Sequence, residues 1–326
     1  MSDATVRGRF VWHELMTTDV KAAGAFYSRV AGWKTQTWDK DKSYTLFTAG
    51  GRPIAGLMLL PEEAKAMGTP PNWLAYIGTE NVDETAREAV ALGAKLLKPA
   101  TNIPGTGRFA VLQDPQDAVF AVFTPLPPSS SDSTPVVEGF SWHELATTDW
   151  RASFTFYQRL FGWEETSAMD MGPAGTYQMF GLTGRPFGGV FNKPKEMPGP
   201  PAWTSYISVP DSKKSAAATT RASGRILNGP MEVPGGDLIA QGMDPQGAAF
   251  AVHSAKAAAA EKPAKAKPVT TTRAKAKSAK KKPARSTTPA KRRAAAKPKA
   301  SAKKAKAAPR RSAKSKKKAP SRKRSR

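Results

Sequence analysis

The stretch Phe10–Trp33, FVWHELMTTDVKAAGAFYSRVAGW, decides how this chain is read, because Phe140–Trp163 writes it again as FSWHELATTDWRASFTFYQRLFGW, offset by 130 residues. The correspondence continues downstream. Gly51-Arg52-Pro53 answers Gly184-Arg185-Pro186, Pro70-Pro71-Asn72-Trp73 answers Pro200-Pro201-Ala202-Trp203, and Asp114-Pro115-Gln116 answers Asp244-Pro245-Gln246. Such self-similarity specifies one structural module in tandem. The copies occupy residues 8–124 and 138–254, joined by a Pro/Ser linker at 125–137 and followed by a basic tail at 255–326.

Within each copy the periodicities alternate. Phe10–Met16 has the short aromatic and apolar run of a strand. Thr17-Thr18-Asp19 offers helix N-cap residues, and Ala23, Phe26, Tyr27 and Val30 then form one apolar stripe at helical spacing. Thr147-Thr148-Asp149 and Phe156, Tyr157 and Leu160 repeat the pattern, and Gly32 and Gly162 stop the helices. Strands follow around Tyr44–Phe47 and Ile54–Leu60. The Pro pairs break the chain before Trp73–Ile77 and Trp203–Ile207. Helices are predicted from about Asp83 to Leu92 and from about Asp211 to Ser223. Two strands then flank each Asp-Pro-Gln turn, where Pro presets the first turn angle and Asp bonds back to the chain. Each copy thus reads β-α-β-β-β twice: a tandem α+β fold.

Charge divides the chain sharply. Residues 256–326 hold 29 Lys and Arg against one acid, Glu261, while the rest holds 22 basic and 25 acidic residues. The net +25 therefore belongs to the tail, and the repeats form a near-neutral body. Cysteine is absent, which excludes disulfides, zinc–thiolate sites and Cys nucleophiles. Met1–Thr5 lacks a basic segment leading into an apolar run, and no apolar stretch approaches membrane-spanning length. A cytoplasmic protein with no membrane partner is expected.

The order of elements, with a strand leading into (T/V)xD, a helix ending FYxxxxGW and a DPxG hairpin, resembles the vicinal-oxygen-chelate superfamily of glyoxalases, extradiol dioxygenases and bleomycin-resistance proteins. W-x-E-L-x-T-x-D and DPxGAxFxV look more narrowly like tandem glyoxalase-like proteins of bacteria. The resemblance covers about residues 8–254 and implies paired βαβββ units. In metal-dependent members it implies two ligand positions per module, which fall here on Trp12 and Ala121, and on Trp142 and Ala251. None of these side chains binds a metal, so no cofactor is expected.

Candidate site residues follow. Glu14 and Glu144 alternate with Trp12, Met16 and Trp142, so one strand face carries an acid among large apolar groups. Desolvation there raises a carboxyl pKa and suits a general acid/base or a ligand anchor. Trp12, Trp73 and Tyr44, with Trp142, Trp203 and Tyr177, suit a small, flat, apolar ligand, as Tyr76 and Tyr206 also do. Arg52 and Arg185 are candidate partners of the acids or the ligand. As an alternative, His13 and His143 would hold iron, manganese or zinc as repeat-related ligands. Neighbouring strand residues face opposite sides, so His13 and Glu14 do not line one cavity without a bulge. His253 is expected to be partly exposed. Nothing in the sequence resembles a nucleophile with its base, a phosphate loop or a dinucleotide fingerprint.

The tail carries Lys280-Lys281-Lys282, Lys291-Arg292-Arg293, Arg310-Arg311, Lys316-Lys317-Lys318 and Arg322-Lys323-Arg324, spaced by Ala, Pro and Ser. It resembles linker-histone C-terminal domains. A polycation of this kind binds DNA, or RNA, through counterion release and without base readout. Its composition buries too little apolar surface to order the free chain. The expectation is a metal-free binding body for a small molecule, associated with the nucleoid through the tail. A metal-dependent lyase or dioxygenase, and a nucleoid protein whose body is only structural, are the alternatives. Oligomeric state is not legible.

Overall fold

The computed structural model of the protein describes residues 6–126 and 139–256. Most of the linker and of the basic tail, with every tail lysine and arginine named above, lies outside the described residues. The first copy runs β1 (Phe10–Thr17), α1 (Val20–Ala31), β2 (Lys34–Trp38), β3 (Asp41–Ala49), β4 (Arg52–Leu59), a short α2 (Glu62–Ala66), β5 (Asn72–Gly78), α3 (Val82–Ala91), β6 (Lys95–Ile103), β7 (Gly107–Gln113) and β8 (Val119–Pro125). The second runs β9 (Phe140–Thr147), α4 (Trp150–Phe161), β10 (Glu164–Asp170), β11 (Thr176–Leu182), β12 (Arg185–Asn192), β13 (Ala202–Ser208), α5 (Ser212–Arg221), β14 (Arg225–Glu232), β15 (Leu238–Met243) and β16 (Ala249–Ser254). Both copies are βαβββ twice, as the repeat predicts.

Each copy builds an eight-stranded sheet in the order β2-β3-β4-β1-β5-β8-β7-β6, or β10-β11-β12-β9-β13-β16-β15-β14. The central pair β1–β5 is antiparallel, and β1–β4 and β5–β8 are parallel. Asp19 caps α1 by accepting from the Ala22 amide, and Gly32 closes it at φ +73°, a conformation that glycine adopts without strain. Asp149 and Gly162 do the same for α4.

The two main cores are each shared between the copies. One packs Ile77, Leu112 and Phe120 against Tyr157, Leu160 and Trp163; the other packs Phe26, Tyr27 and Leu57 against Ile207, Phe250 and Val252. The helical stripe of one copy therefore covers the second half of the other.

This exchange explains two of the repeated motifs. Tyr27 Oη donates to Asp244 Oδ2 at 3.2 Å, and Tyr157 Oη donates to Asp114 Oδ2 at 3.0 Å. Each Asp also accepts at Oδ1 from two backbone amides of its own turn, Gln116 and Ala118 or Gln246 and Ala248. The FY tyrosine of one copy thus locks the DP hairpin of the other. Trp73 and Trp203 complete the arrangement by donating to the Tyr27 and Tyr157 hydroxyls at 2.9 and 3.0 Å.

Candidate functional site

Strand alternation splits β1 into two faces. His13, Leu15 and Thr17 turn toward the helices and are fully buried. Trp12 and Met16 turn the other way and cluster with Leu74, Tyr76, Ala121 and Phe109, a group containing no helix residue. The sheet curls around this second face. Lys40, between β2 and β3 at one edge, donates to the Gly105 carbonyl between β6 and β7 at the other edge, at 2.6 Å. The inner face is thereby a cup.

Glu14 lies on the floor of the first cup. Its Oε1 accepts from Tyr76 Oη at 3.0 Å and its Oε2 from Tyr44 Oη at 2.7 Å; Trp12 Nε1 donates to Tyr44 Oη at 3.1 Å. Glu144 repeats this with Tyr206 at 3.1 Å, Tyr177 at 3.1 Å, and Trp142 donating to Tyr177 at 2.8 Å. Burial raises both carboxyl pKa values, and the tyrosine hydrogen bonds oppose that rise. Burial and the adjacent carboxyl hold the tyrosines well above their ordinary range, so they remain donors.

The sites are not equivalent. Gln241 Nε2 donates to Glu144 Oε1 at 3.2 Å and to Tyr206 Oη at 2.8 Å, where the first copy has Val111. Glu14 is buried, whereas Glu144 is only half-buried. A carboxylate offers about four acceptor positions. Three are used on Glu144, which leaves one.

Sequence reasoning missed Gln241 and two glycines. A Cβ on Gly56 would lie 1.7 Å from the Tyr44 hydroxyl, and one on Gly189 would lie 2.2 Å from the Tyr177 ring. Glycine at these strand positions lets the tyrosines reach the acids. The signal was present in sequence, since a glycine inside a strand marks close approach of another group.

The other candidates are placed elsewhere. Trp73 and Trp203 pack in the cores, bonded to Tyr27 and Tyr157, and not with the acids. Arg52 and Arg185 are exposed at the first positions of β4 and β12. His253 is partly exposed, with 21% of its side-chain surface accessible.

His13 and His143 meet at the joint between the copies, with Nε2 to Nε2 at 2.9 Å. Phe140 stacks on His13 at 3.8 Å and Phe10 on His143 at 3.6 Å between ring centroids. His143 Nδ1 lies 3.3 Å from the Phe187 carbonyl, which assigns the proton to that nitrogen. His143 Nε2 is then the acceptor, and His13 Nε2–H donates to it. Two nitrogens bound to one metal at about 2.0–2.1 Å each, in tetrahedral geometry, would stand well over 3 Å apart. The pair is a hydrogen bond between the modules. Trp12 pairs with Tyr76 and Tyr76 with Ala121, while Trp142 pairs with Tyr206 and Tyr206 with Ala251. The positions where the resemblance implies metal ligands therefore flank Tyr76 in one sheet and Tyr206 in the other, and they present indoles and methyls that do not fit a metal. Among the described residues no group of three or more His, Asp or Glu is placed to hold one. No described helix is long and apolar enough to cross a membrane.

The family model described as a glyoxalase-like domain matches residues 12–123. The chain is 29% identical over 248 residues to "Putative glyoxylase CFP32" of Mycobacterium tuberculosis, covering 74% of this chain and 92% of that protein. It is 27% identical over 262 residues to "Anthracycline biosynthesis protein DauV" of Streptomyces sp. strain C5, covering 75% and 92%. The Mn(II)-bound glyoxalase of Novosphingobium aromaticivorans superposes with a TM-score of 0.52 at 16% identity, covering 78% of this chain and 83% of that one. The protein thus has a glyoxalase-like, vicinal-oxygen-chelate fold, with its tandem modules in two eight-stranded sheets.

Proposed function

We propose that the body is a metal-independent binding protein for a small, largely apolar, flat molecule, held in the cup of the second module with Glu144 as its polar anchor. The observation that carries this is a carboxyl held among tyrosine hydroxyls beside an indole, in a module whose implied metal-ligand positions carry an indole and a methyl. Apolar walls with few convergent polar groups are what small-ligand sites offer. The half-buried Glu144 has an acceptor position left, and when protonated it donates one hydrogen bond. The relative named for anthracycline biosynthesis points to planar polycyclic aromatics as the first probes.

Titration of the protein with an anthracycline aglycone, followed by fluorescence, tests the reading. Saturable binding is expected, weakened about tenfold by Glu144→Gln, which corresponds to the loss of about 1.4 kcal/mol. Binding that Glu144→Gln leaves unchanged overturns the anchor, and no saturation with any planar aromatic overturns the ligand class.

The tail is proposed to tether this body to DNA, supported by its 29 basic residues against one acid. If about ten of these charges meet phosphates, the log of the affinity falls with log salt at a slope of about −9. Duplex retardation at physiological salt is expected to vanish when residues 257–326 are deleted. Tight binding by the tail-less body would sink the tether.

A further inference from the structure

At the rim of the second cup stands a group that has no counterpart in the first. Ser141 Oγ lies 2.7 Å from His253 Nδ1, and His253 Nε2 lies 3.0 Å from Asp237 Oδ2. Ser141 and His253 are half-buried and Asp237 is more open, so the group reaches solvent. The Lys256 amide donates to the other Asp237 oxygen at 2.8 Å and fixes the carboxylate. Interaction with that amide and with His253 lowers the Asp237 pKa, so it is ionised at neutral pH. Asp237 Oδ2 accepts a hydrogen bond from His253 Nε2–H, an arrangement in which Nδ1 accepts from the serine hydroxyl. These are the relations of a nucleophile, its base and the group that orients the base.

The repeat supplies an internal control. Subtracting the 130-residue offset places Ser141, Asp237 and His253 on Val11, Gly107 and Phe123. In the first copy the Phe123 ring fills that spot directly over Gly107, where a Cβ would come within 2.4 Å of the ring. An apolar trio therefore suffices to build this corner of the sheet. The second copy replaces all three members together, each by the residue type that nucleophilic chemistry requires. Both Val11 and Ser141 sit at a register shift in the central strand pair, between Phe10 and Trp12 or Phe140 and Trp142. Such an irregularity re-aims a side chain. Ser141 borders Trp142, and His253 shares a strand face with Ala251 of the aromatic cup.

We propose that Ser141 is an activated nucleophile that is acylated by small carboxylic esters bearing an apolar acyl or aryl group. Oγ attacks the ester carbonyl carbon as its proton passes to His253 Nδ1. The ester C–O bond breaks, and the departing alkoxide takes that proton from His253. Water then repeats the sequence on the acyl-serine, releasing the acid and restoring the hydroxyl.

The full-length protein, incubated with an alkyl fluorophosphonate and analysed by mass spectrometry, tests this. The Oγ–P bond forms, the P–F bond breaks, and one adduct is expected on the peptide containing Ser141. Ser141→Ala is expected to abolish it, and His253→Gln to slow labelling by about 10³-fold, in line with the loss of one member from such a group. The combined change Ser141→Val, Asp237→Gly and His253→Phe copies the first module and is expected to fold with an unchanged melting profile and no labelling. Absence of an adduct on Ser141, or labelling that His253→Gln leaves undiminished, overturns the proposal. Labelling reads Ser141 alone, so its failure leaves the Glu144 reading standing, and loss of ligand binding at Glu144 leaves this one standing.

Discussion

A chain ending at Leu126 is expected to show no cooperative unfolding transition as a monomer, although it contains a complete sheet with both of its longer helices. The reason lies in how the cores are divided. Phe26 and Tyr27 of α1 pack on Phe250, and Trp33 packs on Phe140. Phe120 packs on Phe156, Tyr157 and Phe161, and Phe10 stacks on His143 and faces Trp203. All five first-module side chains are at most 5% exposed in the whole chain, and all would be uncovered by the cut. At about 1.5–3 kcal/mol for each large apolar side chain, the loss is on the order of 10 kcal/mol. That equals the entire stability of an ordinary domain, about 5–15 kcal/mol. Asp114 would also lose Tyr157 and keep only its own turn. Calorimetry with sedimentation on the truncated chain reads the outcome. Two copies can restore the cores only by pairing with one another, so a dimer with a transition agrees with the argument. A folded monomer with a sharp transition refutes it.

The same division marks what the sequence made legible. The tandem repeat, the helical stripes and the central strands were readable because their side chains are buried on a regular period. The edge strands were expected by number but not placed. Lys34–Trp38 is exposed at four of five positions, and Lys95–Ile103 is exposed at all but two and contains Pro99, so neither shows an alternation to read. Their pairing is imposed by the neighbouring strand. The acids were legible as Glu14 and Glu144 because strand alternation put them on one face with tryptophan. Which aromatics would join them was not, since Trp73 and Tyr76 sit three residues apart on one strand and opposite faces take them to different environments. Gln241 and the Ser141–His253–Asp237 group bring together residues from distant strands. Only the sheet order places them side by side, so no local pattern announced them.

Stability is expected to fall steeply as the pH drops from 7 to 5, and the buried histidine pair is expected to be the cause. Burial lowers His143 to about 3 and drives His13 well below its ordinary value, with the neighbouring ring adding to the effect on His13. In the unfolded chain both take up protons near pH 6.5. Between that pH and the folded values the unfolded state binds more protons, so stability rises with pH in this window and is lost as the pH falls. For His143 the loss between pH 7 and 5 is about 2 kcal/mol, and two such groups together give a slope of up to about 2.7 kcal/mol per pH unit. Glu14 and Glu144 act in the opposite sense. Their raised folded pKa values contribute stability that is present below about pH 4.5 and lost as the pH rises through the folded values. A difference measurement separates the two effects. Denaturant midpoints for the natural chain and for the double variant His13→Asn, His143→Asn, taken at pH 7, 6 and 5, isolate the histidine slope. The variant is expected to start less stable, having lost the bond between the modules and the stacking on Phe10 and Phe140, but to change far less with pH. Parallel curves for the two chains would mean that the joint does not titrate. Convergence at low pH would mean that acid and substitution remove the same contact: a protonated His143 Nε2 has no lone pair for His13, and two N–H groups then face each other across 2.9 Å.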